Sequence, residues 1–250
     1  MARAAVLRRL TWAVAEVIDR TDETPRVRSL TFDVPDWPGH RPGQHLDVRL
    51  TADDGYQAQR SYSIATPADA SHVTITVERL DDGEVSPYLT DVLVIGDRIE
   101  LRGPIGGYFV WGPDRGGPLL LVAGGSGIAP VMAMLRARLQ AGSDVPVRML
   151  LSWRSGEDVI YADELETIAR DTTGIDITHT FTRSAPDGWR GRTGRLDREA
   201  LAGLAWTPSE RPLAYVCGPT GLVEAVASAL VELGHDPARV LTERFGPTGG

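Results

Sequence analysis

A short apolar run at residues 119–123 feeds directly into Gly124-Gly125-Ser126-Gly127-Ile128-Ala129-Pro130. No other feature narrows the fold as much. Two parallel strands can be joined only by a long crossover, usually helical, and a strand–glycine turn–helix unit opens such a crossover. Ile128, Val131, Met132, Leu135 and Leu139 share one helical face, and Gly142 supplies a stop. Pro130 falls in the first helical turn, where a missing N–H costs nothing. The same rhythm continues to the end of the chain. Strands are expected at 147–153, 176–183, 213–217 and 240–245, and helices at 163–170, 197–204 (capped by Asp197) and 222–233. The alternation predicts an α/β doubly wound parallel sheet.

The first 110 residues have a different pattern. Polar and apolar residues alternate at 72–78 and 98–102, and turn signals recur at Pro42-Gly43, Asp53-Asp54-Gly55, Asp81-Asp82-Gly83 and Ile95-Gly96-Asp97. Short strands so spaced predict an antiparallel β-barrel or sandwich. The glycine- and proline-rich stretch 112–118 marks the change, dividing the chain into 1–113 and 114–250.

Composition excludes several chemistries. All 26 basic residues are arginine, so no lysine Schiff base and no lysine-dependent phosphate loop can form. Cys217 is the only cysteine, which rules out an internal disulfide and a four-thiolate iron–sulfur cluster. The net charge of −8 disfavours general nucleic-acid binding. No run of about 18 apolar residues is present, so no membrane-spanning helix is expected. The first 17 residues do not read as a signal peptide, and a cytoplasmic location is expected.

Four clusters carry candidate chemistry. Glycines 125 and 127, with Ser126, let backbone N–H groups approach a diphosphate at a helix N-terminus. Arg60-Ser61-Tyr62-Ser63 offers a cation for a diphosphate, a ring to stack on a flavin and a hydroxyl to reach a ring nitrogen. Gly83-Glu84-Val85-Ser86 is a glycine turn ending in a hydroxyl, able to donate to the same diphosphate. Cys217-Gly218-Pro219 closes a strand whose C-terminus faces the crevice of a parallel sheet. The 147–153 strand ends in Ser152-Trp153-Arg154, without the acid that binds a ribose diol. Thr182-Arg183 ends the next one, and arginines follow at 190, 192, 195 and 198. These arginines read either as a solvated loop or as a clamp for the 2′-phosphate of NADPH.

In this order the motifs resemble the ferredoxin–NADP(+) reductase superfamily, from about residue 11 to residue 245. Gly103-Pro104-Ile105-Gly106, the Pro42-Gly43-Gln44 turn and the terminal Glu243-x-Phe245 complete the set. The resemblance implies a Greek-key FAD-binding barrel followed by an NAD(P)-binding α/β domain. It implies that Tyr62 stacks on the isoalloxazine and Ser63 bonds near its reactive nitrogen. Arg60, Gly83, Val85 and Ser86 would hold the FAD diphosphate. Gly125, Ser126, Gly127 and Gly218 would receive the dinucleotide, with Cys217 lining the nicotinamide pocket and Thr182, Arg183 and Arg192 at its adenosine phosphate. Glu243 and Phe245 would approach the flavin from the C-terminal side, leaving Ser63, Cys217 and Glu243 as the catalytic group. Phe245 and a short tail replace the terminal tyrosine of plant-type members, and the chain looks like the flavin-plus-nucleotide core without an iron–sulfur domain.

The implied activity is hydride transfer from NADPH, or NADH, to FAD. Single electrons then pass to a separate acceptor protein such as ferredoxin, flavodoxin or an oxygenase component. Reduction of small acceptors (free flavin, ferric chelates, quinones) and a non-catalytic electron-transfer subunit remain as alternatives. FAD is expected rather than FMN because the basic and glycine motifs have a diphosphate to bind.

Overall fold

The computed structural model describes residues 10–68 and 72–245. The expected loose tail at 247–250 lies outside the described residues. Six strands form the first sheet: β1 (Ala13–Thr24), β2 (Val27–Asp33), β3 (His45–Thr51), β4 (Gln57–Ser63), β5 (Val73–Glu78) and β6 (Arg98–Ile105). Their order is β4-β3-β6-β1-β2-β5, with every pair antiparallel. An isolated bridge from Ile64 to Ile75 joins the two outer strands and closes the sheet into a barrel of Greek-key order. Alternate residues point inward, so Leu30, Phe32, Leu46, Val48, Ile75, Val77 and Leu101 fill its core. A helical turn at Tyr88–Val92 plugs one end through Leu89.

The second sheet holds β7 (Leu119–Gly124), β8 (Val147–Ser155), β9 (Ile175–Ser184), β10 (Arg192–Thr193), β11 (Leu213–Pro219) and β12 (Val240–Phe245). All its strands are parallel, in the order β10-β9-β8-β7-β11-β12. Helices α1 (Ile128–Gln140), α2 (Ala162–Asp171), α3 (Arg198–Leu204) and α4 (Thr220–Glu232) cover its faces. Asp197 caps α3 as its sequence position predicts, accepting from the Ala200 N–H at 2.8 Å. The two-residue β10 was not expected from the residue pattern. It is held on β9 through Gly194, whose N–H donates to the Phe181 carbonyl at 2.8 Å and whose carbonyl accepts from the Thr180 hydroxyl at 2.8 Å. Phe109 and Trp111, which precede residue 113, pack into the core of this second sheet together with Val27 of the barrel.

The strand order reverses between β7 and β11, which opens a crevice at their C-terminal ends. There the glycine loop lies directly on the end of β11. A Cβ on Gly127 would stand 2.6 Å from the Cys217 carbonyl oxygen and 2.6 Å from Gly218 Cα. No side chain fits in that space, so glycine is required although the Gly127 backbone is itself helical. Gly127→Ala should therefore lower stability by about 1–3 kcal/mol, read as a shift of the urea midpoint. Gly221→Ala, whose Cβ meets nothing within 4 Å in α4, should leave stability unchanged or raise it.

Candidate active site

On the barrel side, β4 delivers Ser63 to its buried C-terminal end, 4% exposed, with its hydroxyl oxygen unpartnered. A buried orphan hydroxyl is rare and costly, and a bound ligand is the natural partner. The donor set therefore fits a flavin ring at this strand end. Tyr62 packs half-buried against the barrel core, and burial raises its phenol pKa so that it stays neutral. The Arg60 guanidinium is exposed, 3.8 Å from Glu84 and bonded to its own neighbour's carbonyl at Gln59. Val85 is buried beneath the turn that follows β5, and the Ser86 hydroxyl accepts from the Leu80 N–H at 3.1 Å. Gly83 closes the same turn through its N–H to the Leu80 carbonyl.

On the nucleotide side, a cleft of about 380 Å³ opens over the ends of β7, β8 and β9. Gly124 and Gly125 form its floor, and Trp153, Ile160 and Leu222 supply apolar walls. Glu78 reaches in from β5, and its Oε2 accepts from the Ser126 hydroxyl at 3.0 Å. Thr182 lines the cleft, its hydroxyl donating to the Trp153 carbonyl at 3.0 Å. Arg183 and Arg192 are not among its lining residues, whereas Arg154 and Arg195 are. Arg192 Nη2 is held by Asp197 Oδ1 at 3.1 Å. Asp158, the carboxylate at the β8 end, is occupied by the Ser155 N–H and hydroxyl at 2.8 and 2.7 Å.

The two halves meet at His45, which the sequence reading did not select. His45 pairs with Ser63 across β3 and β4 and with Ile105 of β6. Its Nδ1 lies 3.9 Å from Glu243 Oε1 on β12, and Glu243 pairs in register with Cys217 on β11. Ser63, His45, Glu243 and Cys217, drawn from four strands and both sheets, thus form one polar line across the junction. Phe245 ends β12 opposite Pro219 and packs against the second core. Burial pushes the Glu243 carboxyl up to about 7, and its Oε2 has no partner. Burial, then the Glu243 carboxylate, raises the Cys217 thiol well above its ordinary range. Burial lowers His45, so the His45–Glu243 contact does not depend on two opposite charges.

Comparison with known proteins decides the family. Residues 14–110 match the model of the oxidoreductase FAD-binding domain, and residues 121–228 that of the oxidoreductase NAD-binding domain. The chain is 36% identical over 233 residues to ferredoxin–NADP reductase B of Sorangium cellulosum, covering 89% of this chain and 93% of that one. The chain belongs to the ferredoxin–NADP reductase family of flavoprotein oxidoreductases. The glycine betaine monooxygenase reductase subunit of Pseudomonas aeruginosa is 32% identical over 248 residues, 95% of this chain and 66% of that one. The FAD/NAD-binding domain of a Vibrio cholerae nitric oxide dioxygenase superposes with a TM-score of 0.83 at 27% identity, over 94% of this chain and 99% of that one. The chain spans about half the length of the flavohemoproteins it matches. FAD and NAD(P) are the cofactors of this reductase fold, and the expected barrel and doubly wound sheet are both present.

The raised Glu243 pKa has a definite sign for stability. Below the ordinary carboxyl value of 4.5 both folded and unfolded chains hold the proton, whereas between there and about 7 only the folded chain does. Stability falls with rising pH through that window and levels off above it. In the flavin-free protein, Glu243→Gln should lose less thermal stability between about pH 5 and about pH 8 than the parent. Equal losses would show that the carboxyl does not titrate in that window.

Proposed function

We propose that this protein is an FAD-dependent NAD(P)H reductase that passes electrons to a separate acceptor protein. The alignment of Ser63, His45, Glu243 and Cys217 across the junction of the two sheets supports the reading most directly. Bound FAD would supply the capacity to accept a hydride from reduced nicotinamide and to release electrons one at a time. The unpartnered Ser63 hydroxyl would hold the reacting edge of the flavin, and Tyr62 would bear on its face. Arg60 and the Gly83–Ser86 turn would bind the FAD diphosphate. Gly125, Ser126 and Gly127 would take the NAD(P)H diphosphate, with Gly218 keeping the approach open. Cys217 would line the nicotinamide pocket as a neutral thiol, and Glu243 can hold or release a proton near neutral pH. Phe245 would cover the flavin from the C-terminal side. The functional division falls at 113/114. The acceptor would be a ferredoxin, flavodoxin or oxygenase component; the names of two relatives point to ferredoxin and to a monooxygenase for those proteins. Among the described residues no helix is long and apolar enough to cross a membrane, and we place the protein in the cytoplasm.

Anaerobic mixing of the yellow protein with NADPH should bleach the flavin, and ferredoxin should then be reduced faster than free flavin or ferric chelate. A protein that stays colourless with excess FAD overturns the reading.

NADPH is preferred over NADH. The cleft presents Arg154, Arg195 and Thr182 at the strand ends, Arg183 stands next to Thr182, and the local carboxylate of Asp158 is already bonded. Arg192 is engaged by Asp197, so the weight moves to Arg195 and Arg154. Loss of one charge-assisted phosphate contact costs about 1.5–3 kcal/mol, roughly 10- to 100-fold. Arg195→Ala should raise the NADPH KM by about that factor and leave the NADH KM within about twofold. Equal effects on both would remove the 2′-phosphate assignment.

A further inference from the structure

The two halves are joined by a polar circuit that the sequence did not reveal. Tyr161 caps α2 in the left-handed region (φ 59), unusual for a bulky residue, and is 6% exposed. Its hydroxyl bonds the Thr76 hydroxyl of β5. Thr76 bonds the Ser29 hydroxyl of β2 at 3.0 Å, and Ser29 donates to Glu23 Oε1 of β1 at 2.6 Å. The other oxygen of Glu23 accepts from the Tyr161 backbone N–H at 3.3 Å, which closes the ring. Above the Tyr161 ring, at 4.6 Å, lies the guanidinium of Arg136 from α1. Arg136 makes a two-pronged pair with Glu164 of α2 at 2.8 and 2.5 Å and donates to the Ala65 carbonyl at 2.7 Å.

Each member sits beside a wall of the active site. Glu23 precedes Thr24, Thr76 lies two residues before Glu78, and Tyr161 follows Ile160; all three of those neighbours line the nucleotide cleft. Ala65 lies two residues past Ser63, and Arg136 rides on the helix that begins at the glycine loop. One side chain therefore ties the dinucleotide-binding helix to the flavin-binding strand. Domains within a chain move relative to one another unless their interface prevents it. Directional bonds among buried polar groups select one orientation where apolar packing would allow several. A misplacement of about 1 Å between reacting centres costs on the order of 100-fold in rate.

We propose that Arg136 and Tyr161 are positioning residues for hydride transfer, locking the nucleotide half against the barrel in the one orientation that brings the cleft to the Ser63 strand end. The proposal rests on the reductase reading above. Its test uses the FAD-loaded full chain with NADPH, followed by stopped-flow bleaching. Tyr161→Phe and Arg136→Gln should lower the limiting rate of flavin reduction by about 10- to 100-fold. FAD content and the NADPH Kd should stay within about threefold, and Arg136→Lys, which can still reach the Ala65 carbonyl, should recover part of the rate. The primary deuterium isotope effect should turn more temperature-dependent in the variants, a signature that simple loss of stability does not produce. Thr76→Val removes the same bond from the barrel side. Combined with Tyr161→Phe it should cost no more than either change alone.

Limiting rates within about twofold of the parent, in variants that keep FAD, would overturn the positioning role while leaving the reductase reading intact. A rate loss matched by an equal loss of FAD or NADPH binding, or fully additive effects at Thr76 and Tyr161, would overturn it too. A parent protein that NADPH does not bleach removes the reductase reading and this proposal together.

Discussion

At the C-terminal edge of the parallel sheet, the loop after β7 and the end of β11 touch backbone to backbone, with Gly127 against Cys217 and Gly218. The crevice exists because no side chain stands there. The contact leaves the loop N–H groups at the cleft floor and drives Cys217 to full burial. It also sets the level at which β12, paired to β11, presents Glu243. The barrel then approaches from the other side, and His45 arrives within 3.9 Å of that carboxyl. Glu243 is thereby taken out of water without being given a partner for Oε2, which is the physical origin of its raised pKa.

Arginine supplies every Lys/Arg-type cation of this chain, and the geometry uses what arginine can do. Arg136 grips a carboxylate with two nitrogens, reaches a carbonyl with a third donor and lies over an aromatic face, all at once. A lysine ammonium, a point charge without a planar fork, could not meet these demands together. Arg49 and Arg102 likewise stack over Trp12 while pairing with Glu100 and Asp47.

Much of the architecture was legible because it is local. The apolar run, the glycine turn and the helical stripe at 119–139 are adjacent in the chain, and so are the alternating barrel strands. The ends of β8, β9 and β11 were legible for the same reason. What escaped was fixed by distant partners. His45 follows the Pro42-Gly43-Gln44 turn, but only the register of β3 with β4 and β6 aims it at β12. Among the arginines after β9, periodicity could not choose. Arg195 lines the cleft because β10 and Gly194 carry it there, while Arg192 is claimed by the cap of α3. The Thr76–Tyr161 bond joins residues 85 positions apart, and no short-range pattern encodes it.

The barrel is closed by a single bridge between Ile64 and Ile75, with β4 at one margin of the sheet and β5 at the other. Beyond that bridge, among the described residues, the margin of β4 that faces β5 has no strand partner along Arg60–Ser63. An incomplete ladder leaves amide and carbonyl groups in want of company. Here the vacancy runs along the segment that offers the cation, the ring and the hydroxyl. On the proposed function, a flavin held by that segment would stand where a strand is missing, and filling the seam and building the catalyst would be one event.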